Sequence, residues 1–212
     1  MKIEELQKNL FFIKFKSQYE VASTFIRMQE FYESQYKEIR GKYFELEDYI
    51  AIYTKDRGKF DYYSVWSGFN LPSVVLWKFL RIFEHSLSVK EKELVRFLDR
   101  SEVLKKKKFY IIASNDYGVV THETAHGMYY LNREYRKEIH EAIDKLPTEL
   151  LERLQTALLS KGYCENVLLD ETQAYLIDCA EYGKSVLNTF IMKKTDLVHM
   201  KRIRDIYLRY NK

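Results

Sequence analysis

The sequence predicts an α+β protein, mostly α-helical with a small β-sheet and folded as a single domain. Apolar residues recur at helical spacing through seven or eight segments, whereas only two or three short runs have strand character. The 212 residues include 7 Gly and 2 Pro, too few for linkers or low-complexity sequence. A chain of this length buries roughly 70% of the surface its unfolded form exposes, near the upper end of ordinary single-domain size. Residues 1–107 read as a helical N-terminal part with one or two short strands. Residues 108–212 read as a strand, two helices carrying the chemistry described below, and a basic C-terminal helix.

The first clear element is Leu10 to Phe15, a β-compatible run bounded by charge. Ser17 with Glu20 forms a capping box before a helix whose Val21, Phe25, Met28, Phe31 and Tyr32 repeat at helical spacing. A second helix spans Phe44 to Lys55 and is closed by Gly58. Tyr62 to Trp66 has strand character, and Gly68, Asn70 and Pro72 mark a turn that is also a candidate cleft wall. Helices follow over Val74 to Glu84 and Ser88 to Leu104, the second opened by the Ser88/Glu91 capping box and ended by the lysine run 105–108. Phe109 to Ala113 is the best strand, and Asn115 to Gly118 turns the chain into a helix from about Val119 to Ile143. Pro147 and Thr148 start another helix, which Gly162 stops. The next runs from Asn166 to Tyr182 and is closed by Gly183. A basic helix whose Val198, Ile203, Ile206 and Tyr210 form a buried stripe ends the chain.

Composition sets the surroundings. No apolar run approaches the roughly 20 residues of a membrane span, and the first residues carry two acids where a secretory signal is basic and then apolar. A cytoplasmic protein is expected. Cys164 and Cys179 fit that compartment as reduced, packed thiols. The net charge of +4 is uneven: the tail from Lys193 carries seven bases against Asp196 and Asp205, so the rest of the chain outside the lysine run is acidic. A solvated helix face accounts for that tail, and nucleic acid is not an expected partner.

The chemistry lies in His122-Glu123-Thr124-Ala125-His126, an H-E-x-x-H motif on the helix after the best strand. Residues four apart on a helix are about 40° apart around its axis and one turn along it, so both imidazoles can reach one ion. Catalytic zinc takes three protein ligands and keeps one open position. The third ligand must come from elsewhere in the chain. Glu171, in Asp170-Glu171-Thr172-Gln173-Ala174-Tyr175, is the leading candidate, because an acidic pair between apolar runs is hard to bury without a cation. Asp170 and Asp178 remain alternative ligands. Asp178, seven residues after Glu171 and on the same face, can instead orient a ligand imidazole through its other nitrogen. His140 and His199 have no partner at metal-binding spacing.

These residues resemble the zincin metallopeptidases, and among them the gluzincins, in which a glutamate from a later helix joins the two histidines. His122, Glu123, His126 and Glu171 match that pattern over about 60 residues. Further pieces, Arg27 to Ser34 and Gly68 to Pro72, are similar to stretches of poorly characterised hypothetical microbial and viral proteins that carry the same H-E-x-A-H-G and D-E-x-Q-A-Y motifs. The resemblance implies a zincin-like fold, with the motif helix beside a strand that takes up an extended peptide. It also implies bound Zn2+, a peptide or protein substrate, Glu123 as general base, and a tyrosine hydroxyl as oxyanion donor. Tyr175, Tyr129 and Tyr130 are the candidates for that donor. Many gluzincins carry Asp four residues after the ligand glutamate, whereas Tyr175 stands there in this chain, so the groups behind the ligands must differ. Two other readings compete. Glu123-Thr124-Ala125-His126 is also the E-x-x-H of di-iron helical bundles, with Asp196-Leu197-Val198-His199 as the nearest second copy. The motif can also belong to a metal-containing binding module without catalysis.

Overall fold

The computed structural model describes residues 1–161, 163–182 and 193–211. The architecture is α+β, mostly helical with one four-stranded sheet. Contacts divide the chain into two compact units, Met1–Val119 and Val120–Lys212. The division falls between residues 119 and 120, so the best strand, grouped from sequence with the H-E-x-x-H helix, belongs to the first unit.

In the first unit, β1 (Lys2–Gln7) and β2 (Leu10–Lys14) form an antiparallel hairpin whose turn holds Asn9 at φ 66°, a left-handed position that Asn tolerates. β2 pairs in parallel with β4 (Tyr110–Ser114), and β3 (Gly68–Pro72) pairs antiparallel with β4, giving the order β1-β2-β4-β3. Between β2 and β4 run α1 (Gln18–Glu33), α2 (Leu46–Arg57), the short α3 (Tyr62–Val65), α4 (Ser73–Ile82) and α5 (Val89–Arg100). Side chains of alternate strand positions, among them Phe11, Ile13, Phe69, Leu71 and Ile111, join Val21, Phe25 and Met28 of α1 in one core.

Several capping signals are realised. Ser17 Oγ accepts the Glu20 N–H at 3.2 Å, Gly58 closes α2 at φ 81°, and both halves of the Ser88/Glu91 box are formed. Other expectations require correction. Residues 62–65 are helix rather than strand, and 68–72, expected as a turn, form β3. Asn70 and Pro72 look like turn residues, but their strand gains a buried partner in β4, which outweighs local preference. The helix expected to reach Leu104 ends at Arg100, and a 3-10 turn covers Val103–Lys105. β4 is paired on both sides and buried along its whole length, so it has no open edge for an extended peptide.

Glu30, on α1, is 9% exposed, and burial pushes its carboxyl up to about 7, against the pull of the Ser34, Tyr62 and Tyr49 hydroxyls and of Arg57. Between pH 4.5 and 7 the unfolded chain releases this proton while the folded one keeps it. The group therefore costs stability progressively as pH rises through that window, by at most about 3 kcal/mol. Glu30→Gln is expected to gain roughly 1–3 kcal/mol over the wild type at pH 8 and little at pH 4.5. Urea unfolding at the two pH values checks this, and an equal difference at both would refute it.

The second unit is helical. The helix expected from 119 to 143 is two, α6 (Val120–Leu131) and α7 (Arg133–Ile143), because Asn132 adopts an extended backbone and its side chain accepts the Tyr135 N–H at 3.1 Å, starting a new helix. α8 (Thr148–Ser160), α9 (Leu168–Tyr182) and α10 (Leu197–Tyr210) are its other α-helices among the described residues. The stops expected at Gly162 and Gly183 lie outside the described residues. α9 packs against α6, α7, α8 and α10 around Ala125, Tyr135, Leu154, Leu176 and Ile203. On α10 the buried stripe is Met200, Ile203, Ile206 and Tyr207. Val198 is exposed because five residues before Ile203 is off that face. Both cysteines are free, Cys179 buried with its thiol pushed up to about 12 by burial, and Cys164 half-buried. Among the described residues no helix is long and apolar enough to cross a membrane.

Candidate metal centre

Every residue of the centre comes from the second unit, chiefly from α6 and α9. Four-residue spacing places His122 and His126 on one face of α6, their ring centroids 4.9 Å apart. On α9, Glu171, Tyr175 and Asp178 follow one another at four and three residues and so share a stripe. That stripe meets the two imidazoles.

The histidines present their Nε2 atoms to each other at 3.1 Å. Glu171 faces both, its Oε2 3.8 Å from His122 Nε2 and its Oε1 3.6 Å from His126 Nε2. The Nδ1 atoms point the other way, onto carboxylates: His122 Nδ1 is 2.7 Å from Asp178 Oδ2, and His126 Nδ1 is 2.8 Å from Asp170 Oδ1. Asp178 therefore stands behind the first histidine and Asp170 behind the second. Of the three acids, Glu171 alone reaches both Nε2 atoms.

This arrangement asks for a positive charge. With each Nδ1–H directed at an acid, both Nε2 atoms carry lone pairs, and two acceptors at 3.1 Å repel unless a proton or a cation lies between them. Glu171 is 2% exposed, and its Oε2 is buried without a hydrogen-bond partner. Such a group is costly unless an ion takes it up. One donor atom from each of His122, His126 and Glu171 lies within 4.8 Å of the others. In tetrahedral zinc with bonds near 2.0–2.1 Å, ligand atoms are roughly 3.3–3.4 Å apart. The two Nε2 atoms are 3.1 Å apart and each has a different Glu171 oxygen at 3.6 or 3.8 Å, on the scale of that value, so the donor set is compatible with a divalent cation.

Electrostatics agree with the geometry. Burial is the largest influence on His122 and works against protonation, but the hydrogen bond to Asp178 and the charges of Glu123 and Asp178 together outweigh it, and the imidazole is raised above its ordinary value. Burial likewise opposes protonation of His126, and the charges of Asp170 and Glu171 raise it well above the usual range. Burial lifts the Glu171 carboxyl to about 7, against the two imidazoles. A metal-free cluster thus recruits protons to the positions where a cation would sit.

The other expected residues are distributed around this cluster. Glu123 is buried on α6 next to His122. The Tyr175 ring packs edge-on against His122, centroids 4.8 Å apart, and burial pushes its hydroxyl well up. Tyr129 is turned to α7, where its hydroxyl is 2.5 Å from His140 Nε2 and its carbonyl accepts from Arg136. Tyr130 lies one turn beyond His126, half-buried. Sequence reasoning missed Tyr163, whose hydroxyl is 3.1 Å from that of Tyr175. It precedes α9 in an irregular stretch, where no periodicity marks a partner. Gln173 and Tyr135 were also missed, although Gln173 stands one helical turn after Asp170.

No protein-family model matches the chain, and no curated protein or solved structure is significantly similar to it.

Proposed function

We propose that the protein is a zinc-dependent metallopeptidase of gluzincin type, with His122, His126 and Glu171 as the metal ligands. The observation that carries the reading is the convergence of two imidazole Nε2 atoms on a buried carboxylate that has an unpartnered oxygen. A zinc ion held by these residues would supply a water acidified toward a pKa of about 7 and a Lewis acid for a substrate carbonyl.

The chain's own groups do the rest. Glu123, beside the first ligand, accepts the proton of the attacking water and delivers it to the leaving amine. Tyr175 is the oxyanion donor in this reading, supported by its packing on His122, by the burial that keeps it protonated and by the contact of its hydroxyl with Tyr163. Asp178 takes the orienting role that many gluzincins give to the residue four after the ligand glutamate. Seven residues restore the same helix face that four would reach, so the orienting role does not fall to Tyr175.

Among the described residues a single group of histidines and acids is spaced to hold a metal, and it includes neither Asp196 nor His199. Asp196 instead pairs with Arg153 at 2.6 Å and accepts the Lys193 N–H. This favours one zinc over a di-iron pair. A peptide or an exposed protein segment is the substrate in this reading. A cytoplasmic setting belongs to the same proposal, supported by the two unpaired cysteines.

Incubation of the zinc-loaded protein with a mixed peptide library, followed by mass spectrometry, tests the function. Cleavage should stop with 1,10-phenanthroline and return on adding zinc. An unchanged library in the presence of bound zinc would favour the non-catalytic module instead.

A further inference from the structure

Behind His126 a chain of buried polar groups continues past Asp170. Gln173 donates from Nε2 to Asp170 Oδ1 at 3.1 Å, the same oxygen that stands 2.8 Å from His126 Nδ1. The Gln173 Oε1 accepts from the Tyr135 hydroxyl at 2.6 Å. Both Gln173 and Tyr135 are fully buried. Tyr135 is on α7, so the chain ties a third helix to the centre.

We infer that Gln173, locked by Tyr135, is a positioning residue that fixes Asp170 and thereby the tautomer and ring orientation of His126. The inference rests on the metal-centre reading above and deepens it. An amide has one donor end and one acceptor end. An ionised Asp170 only accepts, so the Gln173 Nε2 must face it, and the Oε1 then requires a donor on its other side. The Tyr135 hydroxyl is that donor, and burial with the nearby Asp170 charge keeps it protonated. Each group therefore has one permitted orientation, and the orientations end in a proton on His126 Nδ1 and a lone pair on Nε2.

That outcome matters because a free neutral imidazole prefers its proton on Nε2, the atom that must ligate. The Asp170 side chain keeps 20% of its exposure, so a carboxylate without a second tether can swing toward water. Gln173 supplies the second tether. His122 is held differently, since Asp178 contacts it directly and none of these three residues bears on that contact.

The test titrates Zn2+ into wild type, Gln173→Leu, Tyr135→Phe and the double variant in competition with a chromophoric chelator. Visible spectra of the Co2+ forms and thermal unfolding of the metal-free forms are measured alongside. Loss of an outer-shell partner weakens metal affinity typically 10–100-fold. Gln173→Leu is expected to weaken zinc binding about tenfold and to alter the Co2+ ligand-field bands, and Tyr135→Phe to do the same more weakly. The double variant should bind no worse than Gln173→Leu, because the residues act in series. Zinc affinity and Co2+ spectra unchanged in both single variants, with only the melting temperature lowered, would overturn the inference and make the pair a packing feature. Should Gln173→Leu fail to fold, Tyr135→Phe, which removes one oxygen atom, decides alone. Wild type that binds no zinc would sink the metal reading itself, and this inference with it.

Discussion

Glu123→Gln should leave zinc bound and reduce kcat by roughly 10^2–10^4-fold, the contribution of a positioned general base. The substitution keeps the size of a buried side chain and removes only its capacity to take a proton. The imidazoles are held through their Nδ1 atoms by Asp178 and Asp170, and both contacts are kept in the variant. KM should therefore change little, because the lost interaction belongs to the transition state. Steady-state kinetics with a cleaved peptide, together with metal analysis of the same sample, read both quantities. Zinc-bound protein with undiminished turnover would refute Glu123 as the base.

The second large effect is on stability, and its sign depends on the metal. Wild type gathers Glu123, Asp170, Glu171 and Asp178 around two imidazoles, and Glu171 is enclosed with an oxygen that no donor reaches. Burying such an acid costs free energy until a cation joins it. Saturating zinc at about a thousand times its dissociation constant should stabilise wild type by about 4 kcal/mol. Glu171→Gln relieves part of the buried-acid cost in metal-free protein and loses most of the response to zinc. The variant is thus expected to be at least as stable as wild type after chelator treatment and clearly less stable with zinc. Urea unfolding with and without the metal checks the crossing, and a Glu171→Gln protein that gains as much from zinc as wild type would contradict it.

How much of this was legible in the sequence depends on the range of the forces involved. Caps act over three residues, and Ser17, Gly58 and Ser88 were readable for that reason. The H-E-x-x-H pair was readable because four residues on a helix fix a face without help from the rest of the fold. β3 was not, since Gly68, Asn70 and Pro72 favour a turn until β4 supplies a partner. β1 was missed because an edge strand can expose Lys2, Glu4 and Glu5, which breaks the apolar pattern that marks interior strands. Asp170 and Glu171 are neighbours about 100° apart on α9, so only its packing against α6 tells which reaches the Nε2 atoms. The break at Asn132 had a local signal, an amide side chain three residues before Tyr135, which the apolar periodicity on both sides masked.

Metal content decides the central claim most directly. Protein purified without chelator and dialysed against micromolar zinc should carry one zinc per chain, and His122→Ala, His126→Ala and Glu171→Ala should each carry far less under the same treatment. A wild type that emerges without metal, or three variants that retain a full equivalent, would show that these side chains do not form a metal centre.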